Sequence, residues 1–188
     1  AKTPSSKVDT TTDFCRLASS LARESFTYMR QPEREITLRF LAEPTDVNFG
    51  GKVHGGAVMK WIDQAGYTCA VGWSGHYCVT VYVGGIRFYQ PILISNLVEV
   101  RARLIYTGKT SMHVAVDVSA GDPKDRQFTQ TTQCIIIFVA VDQQGKPVEV
   151  PPWMPVTGED IALQNYALRL MELRKGIEEE MYPYRHSA

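Results

Sequence analysis

Asp63 is the residue whose setting asks for chemistry. It stands inside Gly55-Gly56-Ala57-Val58-Met59-Lys60-Trp61-Ile62-Asp63-Gln64-Ala65-Gly66-Tyr67-Thr68-Cys69-Ala70-Val71, where only Lys60, Asp63 and Gln64 are strongly polar. As a helix this segment is apolar nearly all round, the pattern of a buried helix. A carboxylate held inside a core is costly unless it is paired or put to use. Just before it runs Asn48-Phe49-Gly50-Gly51-Lys52-Val53-His54. Glycines at a helix start remove side-chain bulk, and the free N–H groups there favour developing negative charge. A buried acid beside a glycine-lined helix start reads as acyl-transfer chemistry. Taken alone, Asp63 is more often a satisfied core acid, held by a backbone group or a hydroxyl. The adjoining His54-Gly55-Gly56 shifts the balance toward function.

Gly56 and Asp63 are seven residues apart, about 10 Å along one helix at 1.5 Å per residue. Both cannot reach one carbonyl from the same helix. A site that needs the acid and an N-terminal amide therefore requires a second subunit, with two such helices antiparallel.

The positioning elements follow from periodicity. Residues 1–12 are polar and expected to be disordered, and Phe14, Leu17, Ala18, Leu21, Ala22 and Ser25 predict a short amphipathic helix over 13–29, ended by Pro32. Ile36, Leu38 and Phe40 alternate as in a half-buried strand over 34–41. After the glycine loop and the helix from Gly55 to about Trp73 come strands over 78–88, 97–107, 112–120 and 128–141. The last contains Cys134-Ile135-Ile136-Ile137-Phe138-Val139, too apolar for an exposed edge. Gly108-Lys109 and Gln143-Gln144-Gly145 are turn signals. One strand, one helix, then long antiparallel strands is an α+β plan in which the sheet must wrap the helix. The tail predicts a second helix over 158–181, opened by a capping box at Thr157 and Asp160. Leu163, Tyr166, Ala167, Leu170, Leu173 and Ile177 form its apolar stripe, for packing on the sheet or for an oligomer contact.

Composition narrows the partners. The 188 residues carry 20 basic and 20 acidic side chains, a net charge of zero, with no nucleic-acid footprint. Cys15, Cys69, Cys78 and Cys134 have no metal-ligand or disulfide spacing and read as reduced thiols of a cytoplasmic protein. No apolar run is long enough for a membrane span, and no signal peptide is expected, although the chain begins without Met and its targeting stays open.

Asp46-Val47-Asn48 followed by Gly51-Lys52-Val53-His54-Gly55-Gly56-Ala57-Val58-Met59-Lys60-Trp61-Ile62-Asp63-Gln64-Ala65-Gly66 resembles the signature of hot-dog-fold acyl-CoA thioesterases of the cytosolic acyl-CoA hydrolase type. Gly108-Lys109-Thr110-Ser111-Met112 and the run from Val139 to Pro147 match in the same order. The resemblance covers about residues 35–152, leaving 1–34 as an N-terminal segment and 153–188 as a helical extension. It implies an antiparallel sheet around a long central helix, with sites at subunit interfaces of a dimer at minimum and a hexamer, a trimer of dimers, beyond it. It also implies that Asp63 activates water or attacks the thioester carbonyl, that Asn48 places water or the carbonyl, and that the Gly56 N–H serves as oxyanion donor, worth roughly 3 to 4 kcal/mol. Gly108, Lys109, Thr110 and Ser111 would receive the CoA phosphates or pantetheine. CoA is then part of the substrate, and no metal or separate cofactor is expected.

Each role has a plainer alternative. Asn48 suits a loop, where Asn is common in left-handed backbone. The Gly108 turn could be a solvated hairpin, and Arg87 or Arg103 could meet a phosphate as any exposed Arg could. His54 is tempting as a base, but relatives can carry an apolar residue there, so a turn-fixing histidine is preferred. His76, His113 and His186 share no metal spacing. Trp61, Tyr67 and Tyr89 line an acyl tunnel or are core. Two rival functions stand beside the thioesterase. A hot-dog hydratase or dehydratase would want a His working with the acid, and a non-catalytic acyl-CoA sensor would normally carry a DNA-binding element. Neither feature is in the sequence.

Overall fold

The computed structural model describes residues 32–185. The segments read as polar (1–12) and helical (13–29) lie outside the described residues. Strand β1 (Glu35–Leu41) is followed by a one-turn 3-10 helix (Pro44–Asp46), the central helix α1 (Gly55–Ser74), strands β2 (Tyr77–Phe88), β3 (Leu97–Thr107), β4 (Ser111–Gly121) and β5 (Thr129–Val141), and helix α2 (Gly158–Arg185). The strands form one antiparallel sheet in the order β1-β3-β4-β5-β2. β5 is internal, as its apolar run requires, and β2 is left on an edge.

Register sets which residues face α1. Val100 lies opposite Val118, Leu104 and Ile136 flank Val114, and Met112 lies opposite Phe138. All are buried in one core with Val58, Trp61, Ile62, Ala65, Cys69 and Ala70 of the helix. The closest approach is at Gly66, where a methyl group would come within 2.8 Å of Phe138 Cε2 and 2.9 Å of Ile136 Cγ2. The helix stops at Gly75, which takes left-handed backbone at φ 69° and donates its N–H to the Val71 carbonyl at 2.9 Å.

α1 is not buried all round. Its line through Lys60, Asp63, Gln64 and Thr68 is exposed, because five strands of a single chain curve around only one side of it. The expectation of a carboxylate inside this chain's core is therefore corrected: Asp63 stands on the open side.

α2 packs on the opposite face of the sheet, through Ala167 with Ile105, Ala115 and Ile135, and half-buried Leu163 and Leu170 beside them. The expected stripe is only partly used. Tyr166, Leu173 and Ile177 are exposed, and the helix continues past Met181 to Arg185. Its start is the firm end. Thr157 Oγ1 accepts the Asp160 N–H at 3.1 Å and Asp160 Oδ2 accepts the Thr157 N–H at 3.1 Å, the reciprocal box expected there. Asp160 also pairs with Arg34 at 2.6 Å, whose guanidinium lies 4.4 Å over the Trp153 ring. Glu35 pairs with Arg101 and, at 2.9 Å, with Arg103, which reaches Glu159 at 2.6 Å. Arg103 is thus engaged in docking α2. Among the described residues no helix is long and apolar enough to cross a membrane.

Two outcomes follow. Gly66→Ala should overpack the helix–sheet contact and cost about 1–3 kcal/mol, read as a lower urea midpoint. Desolvation would raise the Asp160 carboxyl, but Arg34 and the Thr157 and Val156 amides outweigh it and hold the group down at about 2. A folded value below the unfolded one, about 3.9, gives stabilisation that is complete above about pH 4 and lost as pH falls through about 2. Asp160→Asn should flatten the stability profile over that window in thermal melts taken at stepped pH.

Candidate active site

The glycine loop is closed by its own residues. Asn48 Oδ1 accepts the N–H groups of Gly50 at 2.8 Å and Lys52 at 3.2 Å, and its amide donates weakly to the Val53 carbonyl at 3.4 Å. Left-handed backbone falls to Gly51, at φ 75°, and not to Asn48. The Asn48 oxygen is committed to the loop, leaving only the amide NH2 to turn outward.

His54 caps α1. Its Nδ1 accepts the Gly56 N–H at 2.9 Å, and its own N–H donates to the Asp46 carbonyl at 2.7 Å. This is the turn-fixing histidine that was preferred over a base. It also means that the amide expected to serve as oxyanion donor already has a partner in this chain. Gly55, the first helical residue, has an N–H with no intrahelical carbonyl to reach.

Asp63 accepts a hydrogen bond from the Thr80 hydroxyl, Oγ1 to Oδ1 at 2.7 Å. Thr80 was missed in the sequence. The signal was available: Cys78 packs toward α1, so Thr80, two residues on in the same strand, turns its hydroxyl to the same face, beside the exposed side of the helix. The bond fixes the carboxylate and leaves Oδ2 free toward the open side.

The Gly108 turn lies at the other end of the sheet. Gly108 donates its N–H to the Ser111 carbonyl at 2.9 Å, and Lys109 pairs with Glu149 at 3.0 Å. Ser111 lies opposite Val139 in β5, which lies opposite Val79 in the first pairs of β2, toward the C-terminal end of α1. Phe88 and Thr132, near the N-terminal end of α1, are at the far end of those strands. One chain thus gathers Asp46, Asn48, His54 and the two glycines at the start of α1, places Asp63 midway along the helix, and sets its hydrogen-bond donor Thr80 in line with Phe138 and Met112, one rung from Ser111 and toward the Gly108 turn.

Where β2 ends, Phe88, Tyr89, Pro91 and Ile92 meet Val53, Gly55, Val58 and Thr132 around a cavity of about 340 Å³. Tyr89 lines it, whereas Trp61 is core, stacked edge-on against Phe40 at 4.9 Å. Cys69 is also core: burial pushes its thiol up to about 12, and its sulfur donates to the Arg34 carbonyl at 3.2 Å. Cys78 and Cys134 are buried free thiols.

The chain matches the thioesterase superfamily over residues 50–126, the stretch from the glycine loop through β4. It is 34% identical over 124 residues to the acyl-CoA thioester hydrolase YciA of Salmonella typhimurium, covering 64% of this chain and 92% of that one. It belongs to the hot-dog acyl-CoA thioesterases. An apo-hexameric acyl-CoA thioesterase superposes with a TM-score of 0.73 at 30% identity, over 76% of this chain and 92% of that one. The Staphylococcus aureus acyl-CoA hydrolase in complex with butyryl coenzyme A and coenzyme A gives a TM-score of 0.74 at 26% identity, over 81% and 93%. Within this thioesterase chain, the α2 extension lies beyond the superfamily match.

Thr80→Val should leave Asp63 without its donor and lower turnover by about tenfold, the size of one lost hydrogen bond to a charged group. His54→Ala should chiefly cost stability, about 1 kcal/mol for a lost cap. Paired melting curves and rates separate the two effects.

Proposed function

We propose that this thioesterase hydrolyses acyl-CoA to free CoA and a carboxylic acid at a site shared between two subunits. The reading is carried by one observation: Gly56 at the start of α1 and Asp63 at its middle lie about 10 Å apart along one helix, too far to meet one carbonyl. Two α1 helices side by side and antiparallel bring the Asp63 of one protomer toward the glycine loop of the other. The Gly108 turn of the first then lies beyond that loop, where the CoA end of the substrate would extend. The exposed side of α1 supports this pairing. So do the free edge of β2, with exposed Tyr77, Val81 and Phe88, and the fully exposed Phe49 at the loop tip. The relative described as a hexameric acyl-CoA thioesterase supports a larger assembly, a trimer of such dimers.

In this site Asp63, oriented by Thr80, takes a proton from the water that attacks the thioester carbonyl and returns it to the CoA sulfur as the C–S bond breaks, or attacks the carbonyl itself, expelling CoA and leaving an anhydride that water then opens. The amides at the start of α1 receive the oxyanion, with the Gly56 N–H exchanging the His54 imidazole for the carbonyl oxygen. The Asn48 amide holds the water or the carbonyl. Lys109, Thr110 and Ser111 meet the CoA phosphates or pantetheine, which needs Lys109 to leave Glu149. CoA arrives within the substrate, and the chemistry invokes no separate cofactor. We place the protein in the cytoplasm, in keeping with the buried free thiols Cys69, Cys78 and Cys134.

A panel of acyl-CoA substrates followed with a thiol reagent should show CoA release above background, and its absence across short, medium and long chains would sink the reading. Asp63→Ala should lower turnover at least about a hundredfold with the fold intact by circular dichroism. Inactive Asp63→Ala and Asn48→Ala subunits, refolded together, should regain part of the wild-type rate, because some mixed dimers carry one intact site. A dead mixture despite proven subunit exchange would overturn the shared site.

A further inference from the structure

α1 carries one basic and one acidic side chain, Lys60 and Asp63, three residues apart. Both are exposed, and they share a stripe with Gly56, Gln64 and half-buried Tyr67, all at spacings of three or four. Among the described residues neither Lys60 nor Asp63 belongs to an ion pair. In a lone chain water serves both charges. The shared site changes their surroundings. Setting Asp63 of one helix opposite Gly56 of an antiparallel second helix places the two-fold axis between Met59 and Lys60. The two Lys60 side chains then meet at that axis, with an Asp63 on either side. Each Asp63 lies about 4.5 Å along the helix from its own Lys60 and about 6 Å from that of the other protomer. Packed helices run roughly 8–10 Å apart, so the seam shuts these four charges away from bulk water.

A carboxylate moved out of water is costly unless a charge meets it. Around Asp63, β2 supplies the neutral Thr80 hydroxyl at 2.7 Å, on Oδ1 only. Tyr77 of β2 is turned to Tyr67, with ring centres 6.1 Å apart. On α1 itself stand Lys60, Gln64 and Tyr67. The other protomer's helix start brings the Gly56 amide, His54 capping it, and Lys52 in the loop. Lys52 and Lys60 are the lysines of this set. Lys52 sits four residues before Gly56 and outside the helix, whereas Lys60 is fixed on the seam. Two lysines meeting at an axis repel unless anions flank them, and the flanking Asp63 pair makes the row of four charges neutral. Resting on the shared-site reading above, we propose that Lys60 is a positioning residue of the thioesterase. Its ammonium partners the Asp63 carboxylates of both protomers and keeps them charged and aligned as the seam closes. Attack by water or by Asp63 itself needs the carboxylate form, and an opposite charge within about 4–6 Å favours that form. The two sites of a dimer thereby share one pair of lysines.

The test follows kcat/KM in the full chain from about pH 8 down to about pH 6, on the acyl-CoA of the panel that is cleaved fastest. Lys60→Met and Lys60→Arg are run beside the wild type. Met keeps the stem and removes the charge, while Arg restores it. The wild type should hold its rate across the interval, and Lys60→Arg should follow it. Lys60→Met should lose about tenfold, the low end of what a neighbouring opposite charge contributes. A Lys60→Met profile parallel to the wild type, with acyl-CoA still cleaved, overturns the role of Lys60 and leaves the thioesterase reading standing. Light scattering covers the case in which Lys60→Met falls apart into monomers. The double variant Lys60→Met/Asp63→Asn, which carries neither charge, should then reassemble. A double variant as dissociated as the single one overturns the pairing. No thiol release by the wild type from any acyl-CoA removes the thioesterase reading and this proposal with it.

Discussion

The contact of α1 with the concave side of the sheet positions everything else in the molecule. Gly66 lets the helix backbone come down onto Ile136 and Phe138, and Trp61, Ile62, Ala65 and Cys69 fill the space to either side. Because that contact uses one side of the helix, the other side is left to carry Lys60, Asp63, Gln64 and Thr68. The same seating fixes the distance from Asp63 to Thr80 on β2 and the height of the helix start above the cavity. A helix seated a little higher would lose both at once. Packing and chemistry in this domain are two sides of one element.

Helix length does the rest of the organising. At 20 residues α1 is about 30 Å long, so groups at its start and at its middle cannot converge within one chain. The capping of Gly56 by His54 fits this picture. A chain on its own keeps its helix start satisfied internally, and the amide becomes useful only where a competing acceptor is presented to it. Asn48 behaves alike, spending its oxygen on closing the loop. These are residues that hold the resting loop in shape with the groups the reaction would use.

The strands, the central helix, the capping box at Thr157 and Asp160 and the interior place of β5 were all legible in the sequence, because each rests on local periodicity or on one capping pattern. What was not legible depends on how far a sheet reaches. An apolar helix surface reads as buried whether the cover comes from its own chain or from another, so Asp63 was expected inside and is found on the open side. Thr80 was harder to read: a threonine in a strand is ordinary, and its spacing of two from the buried Cys78 is the one mark that it faces α1. The contribution of His54 to the helix cap was legible as a plain alternative, whereas the loss of the Gly56 amide to it was not, since that depends on a side-chain rotamer. The half-used stripe of α2 repeats the lesson of α1, with Leu173 and Ile177 apolar and uncovered.

α2 itself is held unevenly along its length. Its first turn is tied by the Thr157–Asp160 box and the Arg34 ion pair, its middle rests on the sheet through Ala167, and its last two turns are almost wholly exposed. Free energies of local opening follow such gradients of contact, from near zero at unsupported ends up toward the global value at anchored ones. The first turn of α2 is therefore the part of the helix that opens last. Contact with the strands continues past Ala167, through half-buried Leu170 and through Arg174, whose guanidinium lies 4.6 Å over the Tyr82 ring, so any loosening of α2 that reaches Arg174 bares the outer face of β2.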